Sequence, residues 1–176
     1  MFDADDFPKI KDTTWYRCNR ISRAGTYVGN SLGICLHRYI LDAPKNFEID
    51  HRNNNPLDNR KRNLRVCTHQ QNQCNQPLQQ NNTSGVTGVS YYAPRKKYRA
   101  RIKASQHDIH LGYYATINEA VQARNVGMSC MFGDFGYYNK VERIPEWIYE
   151  KVTHICQRFA DLSICEAFIL YAKKSA

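Results

Sequence analysis

The chain has 176 residues and a formal net charge of +9, with a pI of about 9.3. That length allows one compact domain or two small ones, and the charge asks for an anionic partner, nucleic acid ahead of membrane. No apolar run approaches the roughly 18 residues of a membrane span, and the acidic, polar start MFDADDFPKIK is no secretory signal, so the expected location is the cytoplasm.

Residues 1–13 are expected to be poorly ordered, or at most loosely attached. Residues 15–18 and 21–33, with Gly25, Gly29 and Gly33 set among Tyr and Val, read as short strands and a hairpin. The apolar-rich residues 34–41 predict a short helix, ended by the Pro44 turn at 42–46. Residues 47–49 form a strand-like run that ends in Asp50 and His51. An Asn/Pro-rich loop follows, and residues 64–67 read as a second strand. Thr68 and Gln71 have the spacing of a capping box, so a helix should start at Thr68. The seven cysteines include no C-x2-C pair and their number is odd, which favours free thiols over zinc or disulfides.

Strand, loop, strand and helix together bring Asp50, His51, Asn63 and Asn72 within reach of one another. Asp50 is a hard oxygen ligand, and Asn72, one turn into the helix, offers an amide oxygen. Two such ligands leave positions open for phosphate oxygens and waters, which suits magnesium. His51 has the pKa range of a general base, and the loop around Asn63 is placed to hold its other ring nitrogen. Cation, base and open site are the means of phosphodiester hydrolysis.

This stretch resembles the HNH (ββα-metal) nucleases, in the homing-endonuclease branch of phages and mobile elements. The resemblance is carried by Asp50-His51, Pro56-Leu57-Asp58-Asn59, Asn63-Leu64-Arg65, and Thr68 to Asn72 with Asn75; His51, Asn63 and Asn72 follow at steps of 12 and 9 residues. It implies Asp50 and Asn72 as ligands of magnesium or manganese, His51 as general base and Asn63 as the residue that orients it. Cleavage would leave 5′-phosphate and 3′-hydroxyl ends, in the host-cell cytoplasm if the protein is phage-encoded. His37 and Asn75 are candidates for supporting this site. His37 otherwise reads as a packed histidine bonded to backbone, the preferred reading. Arg38 and Arg65 are candidate DNA contacts. His69, at the first helical position, is expected in solvent.

Residues 76–84, QPLQQNNTS, carry no apolar pattern and mark a linker, drawn at 77–84. Residues 86–92 then predict a strand, and residues 97–103 alternate strictly, with Tyr98, Ala100 and Ile102 on one face and Lys97, Arg99, Arg101 and Lys103 on the other. After a turn at 104–108 come a third strand at 109–114 and a capping box at Thr116–Glu119, which opens a helix to about Phe132. A sheet backed by one helix leaves a basic face free to enter a DNA major groove. The region resembles the APETALA-type (ethylene-response-factor) DNA-binding domain through Ser84 to Val89, Tyr98 to Ile102, His110 to Tyr114, Glu119-Ala120, Phe132-Gly133 and Asn139. Tyr98 stands where that family usually has tryptophan, and Asn125-Val126-Gly127 departs from its Ala/Tyr-rich helix.

In residues 140–176, Pro145 is placed to start a helix, and Ile148, Val152, Ile155, Phe159 and Leu162 form an apolar stripe. The stripe is expected to pack on the rest of the chain, with a homodimer contact as the other reading. The fold is therefore α+β in parts: a ββα-metal HNH nuclease module at 14–76, a three-stranded antiparallel sheet plus helix at 85–139 for DNA binding, and a helical tail at 140–176. The function read from this is a metal-dependent endonuclease acting on double-stranded DNA. A DNA-binding regulator or inhibitor of a host system that keeps the nuclease fold is the alternative.

Overall fold

The computed structural model describes residues 1–18, 26–75, 82 and 84–174. The chain divides into two compact units, Met1–Gln76 and Pro77–Ala176. The loop of the first expected hairpin and most of the expected linker lie outside the described residues.

In the first unit, a short helix α1 (Phe7–Ile10) precedes two strands, β1 (Tyr16–Cys18) and β2 (Tyr27–Gly29), which pair antiparallel. Helix α2 (Leu36–Leu41) ends at Asp42, which takes the left-handed conformation at φ 49°. Strands β3 (Glu48–His51) and β4 (Leu64–Cys67) then pair antiparallel, and helix α3 (His69–Cys74) follows. The capping box at Thr68 forms as its spacing predicts: Gln71 donates its backbone N–H to the Thr68 hydroxyl, and its side chain accepts from the Thr68 N–H. Ile10, Leu36, Ile40, Ile49 and Leu64 make the core, with Trp15, Val28 and Tyr39 packed against it.

The N-terminal residues correct the expectation of loose attachment. Ile10 is buried in that core, and the Trp15 indole donates to the Ile10 carbonyl at 3.0 Å. Asp3 accepts from the Lys61 N–H at 2.7 Å, and the buried Asp6 pairs with the Lys61 ammonium at 2.6 Å. The acidic start is thus a strap that neutralises a basic loop, a use that composition alone does not reveal.

The second unit is a three-stranded antiparallel sheet, β5 (Val89–Tyr92), β6 (Lys97–Ala104) and β7 (His107–Tyr114), in that order. Helix α4 (Ile117–Phe132) covers one face and is buried along almost its whole length. It is buried on two sides because the tail helix α5 (Glu146–Gln157) packs on it with Ile148, Val152 and Cys156, so the tail's apolar stripe is spent inside this unit. Helix α6 (Glu166–Lys174) closes the chain, and Ser163 before it bonds the Cys130 and Met131 carbonyls.

Two boundaries differ from the sequence pattern. The first strand begins at Val89 rather than 86, because Gly85 and Gly88 adopt positive φ and turn the chain. The turn between β6 and β7 is only two residues, Ser105 and Gln106, at φ 46° and 69°. Both central residues of a primed hairpin turn need positive φ, which Asn-Gly supplies and Ser-Gln does not signal. Ser105→Asn with Gln106→Gly should therefore raise the stability of this unit by about 1 kcal/mol. Denaturant unfolding measures it; an unchanged midpoint would show that the turn is not strained.

Candidate active site

Residues Asp50 and His51 sit at the end of β3, where the ladder sets Asp50 opposite Arg65 and His51 opposite Leu64. Asp50 is 4% exposed, and a buried carboxylate needs partners. Arg65 supplies them from the facing strand, its Nε at 2.7 Å and its terminal nitrogen at 2.5 Å from Asp50 Oδ2. Asn75, just beyond α3, donates its amide to both Asp50 oxygens and to the His51 and Arg52 carbonyls, at 3.0–3.3 Å. Arg65 is thus a buried partner of Asp50, which corrects its reading as a DNA contact. Asn75 is the helix residue that reaches Asp50.

Asn72, the expected second ligand, donates its amide to Glu48 Oε2 at 2.6 Å. Glu48 also takes a 2.7 Å contact from His69 Nδ1, whose side chain stays mostly in solvent, as expected. Burial works against the Glu48 charge, but the bonds from His69 and Asn72 outweigh it and lower its pKa. Glu48 and Asp50 are alternate residues of one strand, so both carboxylates project to the face that α3 covers. The donors on this face are carboxylate and amide oxygens, which fit a hard divalent cation in kind. Among the described residues, no cluster of three His, Cys, Asp or Glu side chains is gathered for a metal.

His51 is buried, and its Nε2 lies 3.4 Å from Asn59 Oδ1. With the proton on Nε2 the ring donates to Asn59 and keeps Nδ1 basic, a tautomer inferred from this contact. Burial lowers the His51 pKa; the Asn59 contact and the Asp50 carboxylate offset part of that effect. The neutral imidazole at neutral pH is the form a general base requires. Asn63 does not reach this ring, which corrects its expected role. Its amide donates to the Asp58 carbonyl at 2.7 Å and its oxygen accepts from the Asn53 N–H at 3.0 Å, so it shapes the loop that presents Asn59.

On the other side of His51 stands His37, edge-on with ring centroids 5.2 Å apart, and Tyr27 contacts both rings. The expected backbone hydrogen bond of His37 is not found: its buried Nδ1 has no partner among the described residues. Burial first, then His51 and Arg38, push its pKa down to about 4. Arg38, a candidate DNA contact, is half-buried and donates to the Ala43, Pro44 and Phe47 carbonyls. It closes the turn that leads into β3.

Sequence reasoning passed over Asn59, whose motif was noted but not its role, and the arginines Arg52 and Arg62. These two, with Arg60, Asn53, Asp58 and Asn63, line an open pocket of about 420 Å³ in the loop. Asp58 is tied bidentately to Arg60, which holds its carboxyl far below the usual range. The second unit carries the remaining predicted residues. Lys97, Arg101 and Lys103 are exposed on one face of β6, while Arg99 is half-buried, its guanidinium over the Tyr92 ring at 5.7 Å.

Residues 42–74 match the family model described as HNH endonuclease. The chain is 28% identical over 145 residues to "Uncharacterized HNH endonuclease L560" of Acanthamoeba polyphaga mimivirus, covering 78% of this chain and 73% of that protein. It is 36% identical over 67 residues to "Protein 3.8" of Escherichia phage T7, covering 37% of this chain and 55% of that protein, so it spans about half of that relative. No solved structure matches it significantly. The chain is an enzyme, a nuclease, and residues 42–74 are the part that matches the HNH endonucleases.

Two outcomes follow from the geometry. Arg65→Ala leaves Asp50 buried without its cation and should cost about 3–5 kcal/mol of stability, measured by denaturant unfolding; a surface DNA contact would show no such loss. The His37 pKa of about 4 lies below its unfolded value of about 6.5, so below pH 6.5 the unfolded chain binds more protons than the folded one. Its contribution to stability is full above pH 6.5 and is lost as pH falls toward 4. His37→Gln should flatten the fall in unfolding midpoint between pH 7 and pH 4.5; parallel curves for the two proteins would count against it.

Proposed function

We propose that the protein is a metal-dependent endonuclease acting on double-stranded DNA, of the homing type carried by phages and mobile elements. The observation that carries this reading is the neutral, buried His51 beside Asp50, backed by Asn59, within the span that matches HNH endonucleases. Relatives from a mimivirus and from phage T7 support the viral setting.

In this reading Asp50 and Asn72 hold magnesium or manganese. Arg65 and Asn75 keep the Asp50 carboxylate oriented. When bound, the ion would supply Lewis-acid stabilisation of charge on the leaving oxygen. His51 Nδ1 accepts a proton from the attacking water as the oxygen–phosphorus bond forms. The phosphorus–O3′ bond breaks, and the 3′-oxygen takes a proton from solvent. Asn59 holds the opposite ring nitrogen, so the imidazolium that forms stays in place. Arg52 and Arg62, open in the adjoining pocket, are placed to take flanking phosphates.

Residues 85–139 are the DNA-positioning part, of APETALA type, with the nuclease at 14–76, the linker at 77–84 and the helical tail at 140–176. A strand face that carries Lys97, Arg101 and Lys103 into solvent supports contact with a polyanion. Arg101, exposed at the strand centre, is the residue assigned to a base edge.

His51→Ala should lower single-turnover cleavage by about 10²–10⁴-fold while DNA affinity persists, and EDTA should stop wild-type cleavage. Cleavage that survives in a nuclease-free His51→Ala preparation would remove the mechanism. Cleavage that survives EDTA would remove the metal.

A further inference from the structure

The edge of the C-terminal sheet gathers cations that form no salt bridge among the described residues. On the exposed face, His110 packs on Tyr113 with centroids 4.6 Å apart, and Tyr113 packs on Tyr92 at 5.3 Å. The Arg95 guanidinium lies 4.7 Å from the Tyr113 ring centre, and that of Arg99 lies over Tyr92. Lys151 comes from α5, outside the sheet altogether. Its ammonium rests 4.5 Å from the Tyr114 ring centre, at the edge strand β7. Gly112 makes room for it: a Cβ there would lie 3.0 Å from Lys151 Nζ.

None of Arg95, Arg99 and Lys151 forms a salt bridge among the described residues, and the buried Arg99 Nε–H has no acceptor. Burial first, then the Arg99, Lys151 and Arg95 charges, lower the His110 pKa. Like charges brought close in this way repel, and a bound anion relieves that repulsion. Planar guanidinium groups stacked on tyrosine are already ordered, so they lose little freedom on taking up a phosphate.

We propose that Arg95, Arg99, His110 and Lys151 form a phosphate site at the β7 edge, through which α5 grips the DNA backbone beside the exposed strand face. The proposal rests on the reading of that face as a DNA surface. It adds the tail to the interface: a helix whose apolar side completes the core also presents a backbone contact. A phosphate contact carries no sequence information, so the site sets register and affinity rather than target choice.

The test uses the full chain in a His51→Ala background, so that DNA stays intact. Affinity for two duplexes of unrelated sequence is measured across about 50–300 mM salt. Lys151→Met keeps the methylene stem on Tyr114 and removes the charge, whereas Lys151→Arg keeps the charge. Arg95→Gln probes the site from an exposed turn, and thermal unfolding confirms that each variant is folded. Lys151→Met and Arg95→Gln should each lower the log–log salt slope by about 1 and weaken both duplexes equally, and Lys151→Arg should restore the slope. Arg101→Gln is the control for the strand face. If it lowers affinity while Lys151→Met and Arg95→Gln keep the wild-type slope, the phosphate site is wrong and the face reading stands. If none of the three changes binding, the face reading has failed and the site fails with it.

Discussion

A carboxylate buried between two short strands has to be neutralised where it stands, and much of the first unit is arranged around that need. Strands of four residues are too short to hold a ladder by themselves. The buried pair between Asp50 and Arg65 pins the register, because a one-residue slip would turn every side chain of the strand to the other face. Asn75 then joins helix, strand and loop through one amide, bonded to Asp50 and to the two carbonyls that follow. His51 is held in place because its neighbour in sequence cannot move.

The loop between β3 and β4 obeys the same economy with neutral groups. Asn53 and Asn55 each accept from the N–H two residues on, and Asn54 takes the left-handed conformation that asparagine tolerates. Asn54 in turn donates to Asn75, which links the loop to the helix end. The N-terminal strap holds the loop from outside through Lys61. An asparagine-rich stretch that looks like a spacer is therefore a scaffold, and its purpose is to carry Asn59 to the imidazole.

The second unit solves the opposite problem. Its sheet must hide one face completely and leave the other free. Helix α4 does the first only because α5 covers its back. The buried polar residues Arg124 and Asn125 of α4 are spent on the loop beyond it: Asn125 exchanges bonds with Asn139, and Arg124 donates to the Tyr137 carbonyl. Gly127 sits where Leu111 approaches, and a Cβ there would lie 2.6 Å from its methyl carbon. The Asn125-Val126-Gly127 run is thus a packing requirement. On the uncovered face, stacked tyrosines and arginines order one another with no salt bridge to an acid among the described residues.

Local signals were enough for the elements. Both capping boxes, the alternation of β6 and the stripe of α5 are read from spacing alone, since each is a property of a few neighbouring residues. Asp50 and His51 were legible in the same way, as an acid and a base set side by side at a strand end. What the sequence could not decide was which asparagine meets which partner. Asn59, Asn63, Asn72 and Asn75 are chemically identical, and only the path of the loop sends Asn59 to His51 and Asn75 to Asp50. Nor could it show that Arg65 and Arg38 are consumed inside the unit while Arg101 stays open, or that an acidic start folds onto a basic loop. A charge has the same side chain whether it is paired or free. Whether it has a partner depends on residues far away in the chain, and the tertiary structure alone brings those together.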